Sequence, residues 1–205
     1  MFAKALVSVV LLSSLAAAAP HSRREVKTAA TLIKAVMPTS DSCSGAQFPD
    51  ECRTADQASQ YIIDAMAKYK LYTYGEIAAV LSLIGYESVD MKFKHNVSPG
   101  RAGQGTSNMQ MSSLNIEYAK SITELATEAA TADENSILAL VTPDQYNFGS
   151  GPWFLTEKCS DTQAELKKGT DAGWEAYMTC VGVDATDSER LAYWTRAKEA
   201  FGLSG

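Results

Sequence analysis

Glu87 is the side chain in this sequence best placed to do chemistry. It closes a run in which Ile77, Val80, Leu81 and Ile84 recur at helical spacing, three residues after Ile84 and seven after Val80. The apolar face of that run carries it toward the core. A carboxyl at the end of a core-facing stripe loses hydration, which disfavours the charged form and raises its pKa. A carboxylic acid that keeps its proton near working pH is what general acid catalysis requires. The bland alternative is a glutamate that swings out to water or pairs with a cation. Asp90, three residues on, is the one acidic residue between Ser88 and Ile116 and so the candidate second carboxylate. On a continuing helix the two would be surface neighbours, an arrangement better suited to tuning a pKa than to holding a water. Glu117, Asp144 and Glu157 are more distant candidates.

The element that must position Glu87 is a helix over 73–88. Thr73 and Glu76 have the spacing of a capping box, each able to satisfy the other's backbone N–H. The stretch 90–111 that follows reads as irregular. Gly103 and Gly105 permit backbone approaches that a Cβ would forbid, and Gln104, Asn108 and Gln110 line the same stretch with neutral amides. Met91, Phe93 and Met109 can face a ligand there or plug the core. Tyr146 and Asn147 fall in a turn-rich loop over 144–153, where Trp153 either stacks on a ligand or is buried.

The remaining pattern is helical almost throughout. Helices are predicted over 25–37, 54–70, 113–130, 133–141, 162–168, 171–181 and 187–201. The last opens on a second capping box, Thr186 with Glu189, and is closed by Gly202. No convincing period-two strand is present; a small ribbon within 91–111 is the most the sequence allows. The fold class is therefore all-α with at most a minor β ribbon.

The chain has 205 residues, 46% hydrophobic and 20% charged, with a formal net charge of −6. One compact domain is the default for such material. No Lys/Arg cluster is interleaved with aromatics, so nucleic acid is a poor partner, and the negative charge disfavours anionic surfaces. Residues 1–19 read as a signal peptide: Lys4, an apolar stretch over 5–15, then small residues over 16–19. Residues 20–24, with Arg23–Arg24, read as a short propeptide, leaving 25–205 as the mature domain. No other apolar run approaches the ~20 residues of a membrane span, so a secreted, extracellular monomer is expected.

Four cysteines suit an oxidising destination and allow three pairings. The economical choice is local, Cys43–Cys52 and Cys159–Cys180, each closing a short loop. Zinc ligation would need closely spaced pairs or histidine partners that the sequence does not supply, so no metal is expected. The histidines are His21 and His95. His95 has no nucleophile motif near it and is read as a loop residue, which disfavours serine or cysteine hydrolase chemistry. Asn96, with Val97 and Ser98, forms an N-glycosylation sequon.

Three motifs in order carry a resemblance: IGYES at 84–88, GTSNMQM at 105–111 and QYNFGSG at 145–151. Together they resemble the lysozyme-like superfamily in its lytic transglycosylase and goose-type lysozyme branch. That branch has a helix ending in Glu-Ser, a loop ending Gly-Leu-Met-Gln, and a downstream Tyr-Asn with glycine. The chain is also similar to small secreted fungal muramidases. It departs in a longer segment from Glu87 to Gln110 and in Tyr-Asn-Phe-Gly for Tyr-Asn-Ala-Gly. The resemblance covers roughly 73–153.

It implies a single lysozyme-like domain around a central buried helix, cleaving β-1,4 glycosidic bonds of bacterial peptidoglycan with Glu87 as proton donor. It also implies the class terms hydrolase, glycosidase and muramidase. Ser88, Gln104, Asn108, Met109, Gln110, Tyr146 and Asn147 become candidate substrate contacts. A polysaccharide is the expected partner, and no cofactor is called for. Hydrolysis and intramolecular transglycosylation both stay open, since Asp90 is poorly placed as a base. Chitin or chitosan cleavage and non-catalytic saccharide binding on the same scaffold are the alternatives.

Overall fold

A computed structural model describes residues 27–204; the expected signal peptide, propeptide and His21 lie outside them. Among the described residues eleven α-helices run in the order α1 (Ala29–Val36), α2 (Ala55–Lys68), α3 (Tyr74–Ser88), α4 (Ser112–Lys120), α5 (Ala126–Ala129), α6 (Ile137–Val141), α7 (Asp144–Asn147), α8 (Ser150–Glu157), α9 (Gln163–Leu166), α10 (Asp171–Val181) and α11 (Ser188–Phe201). Among the described residues, β structure is limited to two isolated antiparallel bridges, His95 with Gly105 and Gly105 with Gln110. The protein is all-α.

The centre is α3. Its capping box forms as the spacing predicts: Thr73 Oγ1 accepts from the Glu76 N–H and the Glu76 carboxylate accepts from the Thr73 N–H. The one-sided apolar stripe understates its surroundings. Every residue from Ala78 to Gly85 is buried, because α1, α8, α9 and α11 all pack against it. A helix hidden on all sides needs small residues where neighbours approach. A Cβ on Gly75 would stand 2.1 Å from the Leu166 carbonyl oxygen, and one on Gly85 2.6 Å from the Tyr193 ring. Ser82, the polar exception inside, accepts from the Trp174 indole N–H at 3.2 Å, and Trp174 stacks on Trp194 at 5.7 Å between centroids.

Several boundaries differ from the periodicity. The helix predicted over 113–130 breaks into α4 and α5: the Ser121 hydroxyl donates back to the Tyr118 carbonyl at 2.6 Å, the local bond that competes with helix continuation. The helix expected from 133 starts at Ile137, because the Asp133 carboxylate takes the N–H groups of Asn135 and Ser136 in a turn. The loop expected over 144–153 is instead the two short helices α7 and α8. Pro152 is accommodated in the first turn of α8, where its missing N–H costs nothing. The cap of α11 is Asp187, accepting from the Arg190 N–H, not a Thr186–Glu189 box; the Thr186 hydroxyl donates to Asp184. Gly202 ends α11 in the left-handed region, as expected. Both expected disulfides form, Cys43–Cys52 and Cys159–Cys180.

Candidate active site

Glu87 is the penultimate residue of α3, and the chain leaves the helix abruptly after it. Val89, Asp90 and Met91 have φ of 52°, 55° and 64°, three consecutive left-handed residues at about 1–2 kcal/mol each. Such strain persists only where the surroundings hold it, and here the holders are plain. The Ser88 hydroxyl donates to the Ile84 carbonyl at 2.6 Å and accepts from the Met91 N–H at 2.9 Å. The Asp90 carboxylate accepts from the Thr39 N–H and hydroxyl through Oδ2 and from the Tyr193 hydroxyl through Oδ1. Met91 is buried.

Two expectations are corrected by this turn. Ser88 is fully buried and spends its hydroxyl on the backbone, so it is a capping residue and not a substrate contact. Asp90 is buried and engaged by three donors, so it fastens the turn and does not serve as a second carboxylate. Of the more distant acids, Asp144 is paired with Arg53 and Lys94 and Glu117 with Lys158, while Glu157 is exposed at the end of α8, outside the lining of the furrow. Burial pushes the Asp144 carboxyl up, but the hydrogen bonds and charges of Lys94 and Arg53 outweigh it and hold the group below its usual value.

The Glu87 side chain is 20% exposed and lies against Arg190, whose Nη1 donates to its Oε1 at 3.0 Å. The guanidinium is itself placed by stacking over Tyr86 at 3.9 Å and by the Asp187 cap that starts α11. Burial raises the Glu87 pKa above the usual carboxylate value; Arg190 opposes it through charge and hydrogen bond and does not cancel it. Sequence reasoning missed Arg190. The two residues are 103 apart, and the only local signal was the helix start that fixes Arg190 in the first turn of α11.

A furrow of about 260 Å³ opens beside Glu87, lined also by Val89, Phe93, His95, Gln104 and Met109. A larger hollow of about 630 Å³ shares His95, Asn96 and Val97 with it and continues past Arg101, Gly103, Glu134 and Leu138. Of the expected contacts, Gln104 and Met109 join Glu87 in the furrow. Asn108, Gln110 and Asn147 are buried, and Tyr146 offers its carbonyl to the Tyr118 hydroxyl. None of these four lines the furrow. The Ser107 hydroxyl donates to the Asn147 carbonyl at 2.9 Å, which seats the loop 105–111 on the Tyr-Asn turn. Asn108 Oδ1, Gln110 Nε2 and Asn147 Oδ1 have no partner among the described residues. The sequon residue Asn96 accepts from the Gly100 and Arg101 N–H groups through Oδ1 and stands on the furrow's rim. Among the described residues no group of three or more His, Cys, Asp or Glu is placed to hold a metal, and no helix is long and apolar enough to cross a membrane.

No family model matches the chain, and no solved structure matches it. Among curated proteins it is similar to a bifunctional dioxygenase (DOX)-epoxy alcohol synthase (EAS) of Fusarium oxysporum (strain Fo5176), 44% identical over 172 residues. That match covers 78% of this chain and 13% of the relative, so the chain spans about an eighth of the relative's length. The relative's name corrects the class terms hydrolase, glycosidase and muramidase: it describes oxygenase and epoxide chemistry and belongs to neither a hydrolase nor a muramidase.

Proposed function

We propose that the furrow holds a β-1,4-linked N-acetylated glycan, and that Glu87 protonates the leaving oxygen of an intramolecular, non-hydrolytic transglycosylation. The supporting observation is the setting of Glu87: a half-hidden carboxyl at the end of a buried helix, shifted toward its neutral form, opening on a furrow walled by Gln104 and Met109. That Asp90 is engaged elsewhere supports transfer to the glycan's own hydroxyl over a two-carboxylate hydrolysis. A lysozyme-like arrangement of the central helix and the following loop is part of this reading. Peptidoglycan is the first substrate class and chitin the second.

The test is mass spectrometry of products from purified peptidoglycan and from N-acetylglucosamine hexamer, wild type against Glu87→Gln. Anhydro-ended fragments from wild type and none from Glu87→Gln are expected. Wild-type products with reducing ends only, or an active Glu87→Gln, would overturn it. Tight saccharide binding without turnover by either would leave a binding module.

A second reading is favoured by the name of the relative and by an apolar cavity of about 340 Å³ between α1, α2 and α3. Ile33, Met66, Leu81 and Phe201 line it, with the exposed Ile63, Tyr72 and Tyr74 at its edge. In that reading the chain is a unit that seats an alkyl chain for oxygenase chemistry carried out elsewhere. Binding of a long-chain alkyl carboxylate, lost on Ala67→Trp, is its test.

A further inference from the structure

His95 lines the same furrow as Glu87, and its ring is not a free surface group. Nδ1 lies 2.6 Å from Glu51 Oε1, while the other oxygen of that carboxylate accepts from the Lys94 N–H at 2.7 Å. Glu51 is thus fixed by backbone and fixes the imidazole in turn. A carboxylate on Nδ1 selects the tautomer that carries its proton there and leaves the Nε2 lone pair as the acceptor. Phe48 packs edge-on against the ring at 4.8 Å between centroids. The backbone under His95 is held by its bridge to Gly105 and by the Asn96 N–H donating to the Gln104 carbonyl. Ring orientation, tautomer and backbone position are therefore all set, and the ring stands where the two hollows join.

We propose that His95, oriented by Glu51, is the base of the reaction for which Glu87 is the acid. This rests on the transglycosylation reading. In the step, the bond from the anomeric carbon to the leaving oxygen breaks as Glu87 gives that oxygen its proton. The bond from the incoming hydroxyl oxygen to the same carbon forms as the hydroxyl proton passes to His95 Nε2. No electrons are gained or lost overall and no water is consumed; exchange with solvent returns a proton to Glu87 and removes one from His95. The furrow thereby holds an acid and a base with separate roles, Glu87 giving a proton and His95 taking one. Glu51 is a positioning residue, one step removed from the substrate.

The experiment is steady-state turnover of N-acetylglucosamine hexamer and of purified peptidoglycan by full-length His95→Ala, His95→Gln, Glu51→Gln and Glu87→Gln. Loss of a general base costs on the order of 10²–10⁴-fold. His95→Ala should lose kcat in that range with little change in KM, and added imidazole should restore part of it. His95→Gln should be as slow, unrescued, and should melt near wild type, which separates chemistry from folding. Glu51→Gln should lower kcat less than His95→Ala, and imidazole should not help it.

Both His95 variants turning over within about threefold of wild type, with Glu87→Gln inactive, would overturn this proposal and spare the acid. An active Glu87→Gln beside an imidazole-rescued His95→Ala would overturn the acid and spare the base. No turnover by wild type on either substrate would remove both.

Discussion

At the scale of single residues, Glu87 and Asp90 show how three positions of separation assign opposite work to one functional group. Glu87 has a single hydrogen-bonding partner among the described residues, Arg190, and an opening beside it. Asp90 has three donors and no opening. Because burial holds the folded-state value of Glu87 above that of the unfolded chain, folding favours its neutral form. Its contribution to stability is full below the ordinary carboxylate range and is lost as pH rises through the raised value. Wild type should therefore lose melting temperature relative to Glu87→Gln as pH rises through that window, and a pair of thermal melts across pH would check it. Activity should fall over the same interval as the acid form is titrated away. Asp90→Ala should cost about 3 kcal/mol of stability, since it leaves buried donors unpaired. Measured cold, where it remains folded, its kcat should fall far less than the 10²–10⁴-fold typical of losing a catalytic base; a loss of that size would restore Asp90 to the chemistry.

At the scale of elements, the left-handed turn over Val89, Asp90 and Met91 decides where Glu87 points. Val89 is 53% exposed and β-branched at φ 52°, a conformation such residues rarely adopt. Val89→Asn, which tolerates that region, should stabilise the fold by about 1 kcal/mol, read as a rise of about 2–4 °C in melting temperature. No rise would mean that Val89 is held by packing that its exposure conceals. The central helix was legible in the sequence because its capping box and apolar spacing are local. Asp171–Val181 and the Gly202 stop were legible for the same reason. What escaped depended on distant partners. Arg190 meets Glu87 from another helix, Glu51 meets His95 across 44 positions, and no period in the chain records either. The short α7 and α8 were misread because Gly149, Gly151 and Pro152 resemble loop residues until their packing is known. A Cβ on Gly149 would lie 2.4 Å from the Tyr118 hydroxyl oxygen. The amides of the loop 104–111 were placed in the right segment but not all at the furrow: Gln104 lines it, while Asn108 and Gln110 are buried.

At the scale of the whole molecule, helices from both ends of the described chain close on α3, and loops 39–54 and 90–111 close the furrow side. The cross-link Cys43–Cys52 belongs to that second layer, not to the helical core. Replacing both by serine should cost about 2–3 kcal/mol by loop-closure entropy, a fall of about 5–10 °C at this size. Turnover should drop even at temperatures where the helices persist, because Glu51 adjoins Cys52 and holds His95. Unchanged turnover in the folded double variant would detach that loop from the chemistry. The same covalent ring carries a consequence for the life of the protein in a cell. A copy kept among abundant thiols, such as glutathione, would lack both this cross-link and Cys159–Cys180, so the loop that carries Glu51 and the tie from the end of α8 to α10 would slacken together. One released to oxidising surroundings would be tightened by air and oxidoreductases alone. Oxidation would then lock the loop that carries Glu51 and the tie from α8 to α10 in the same event.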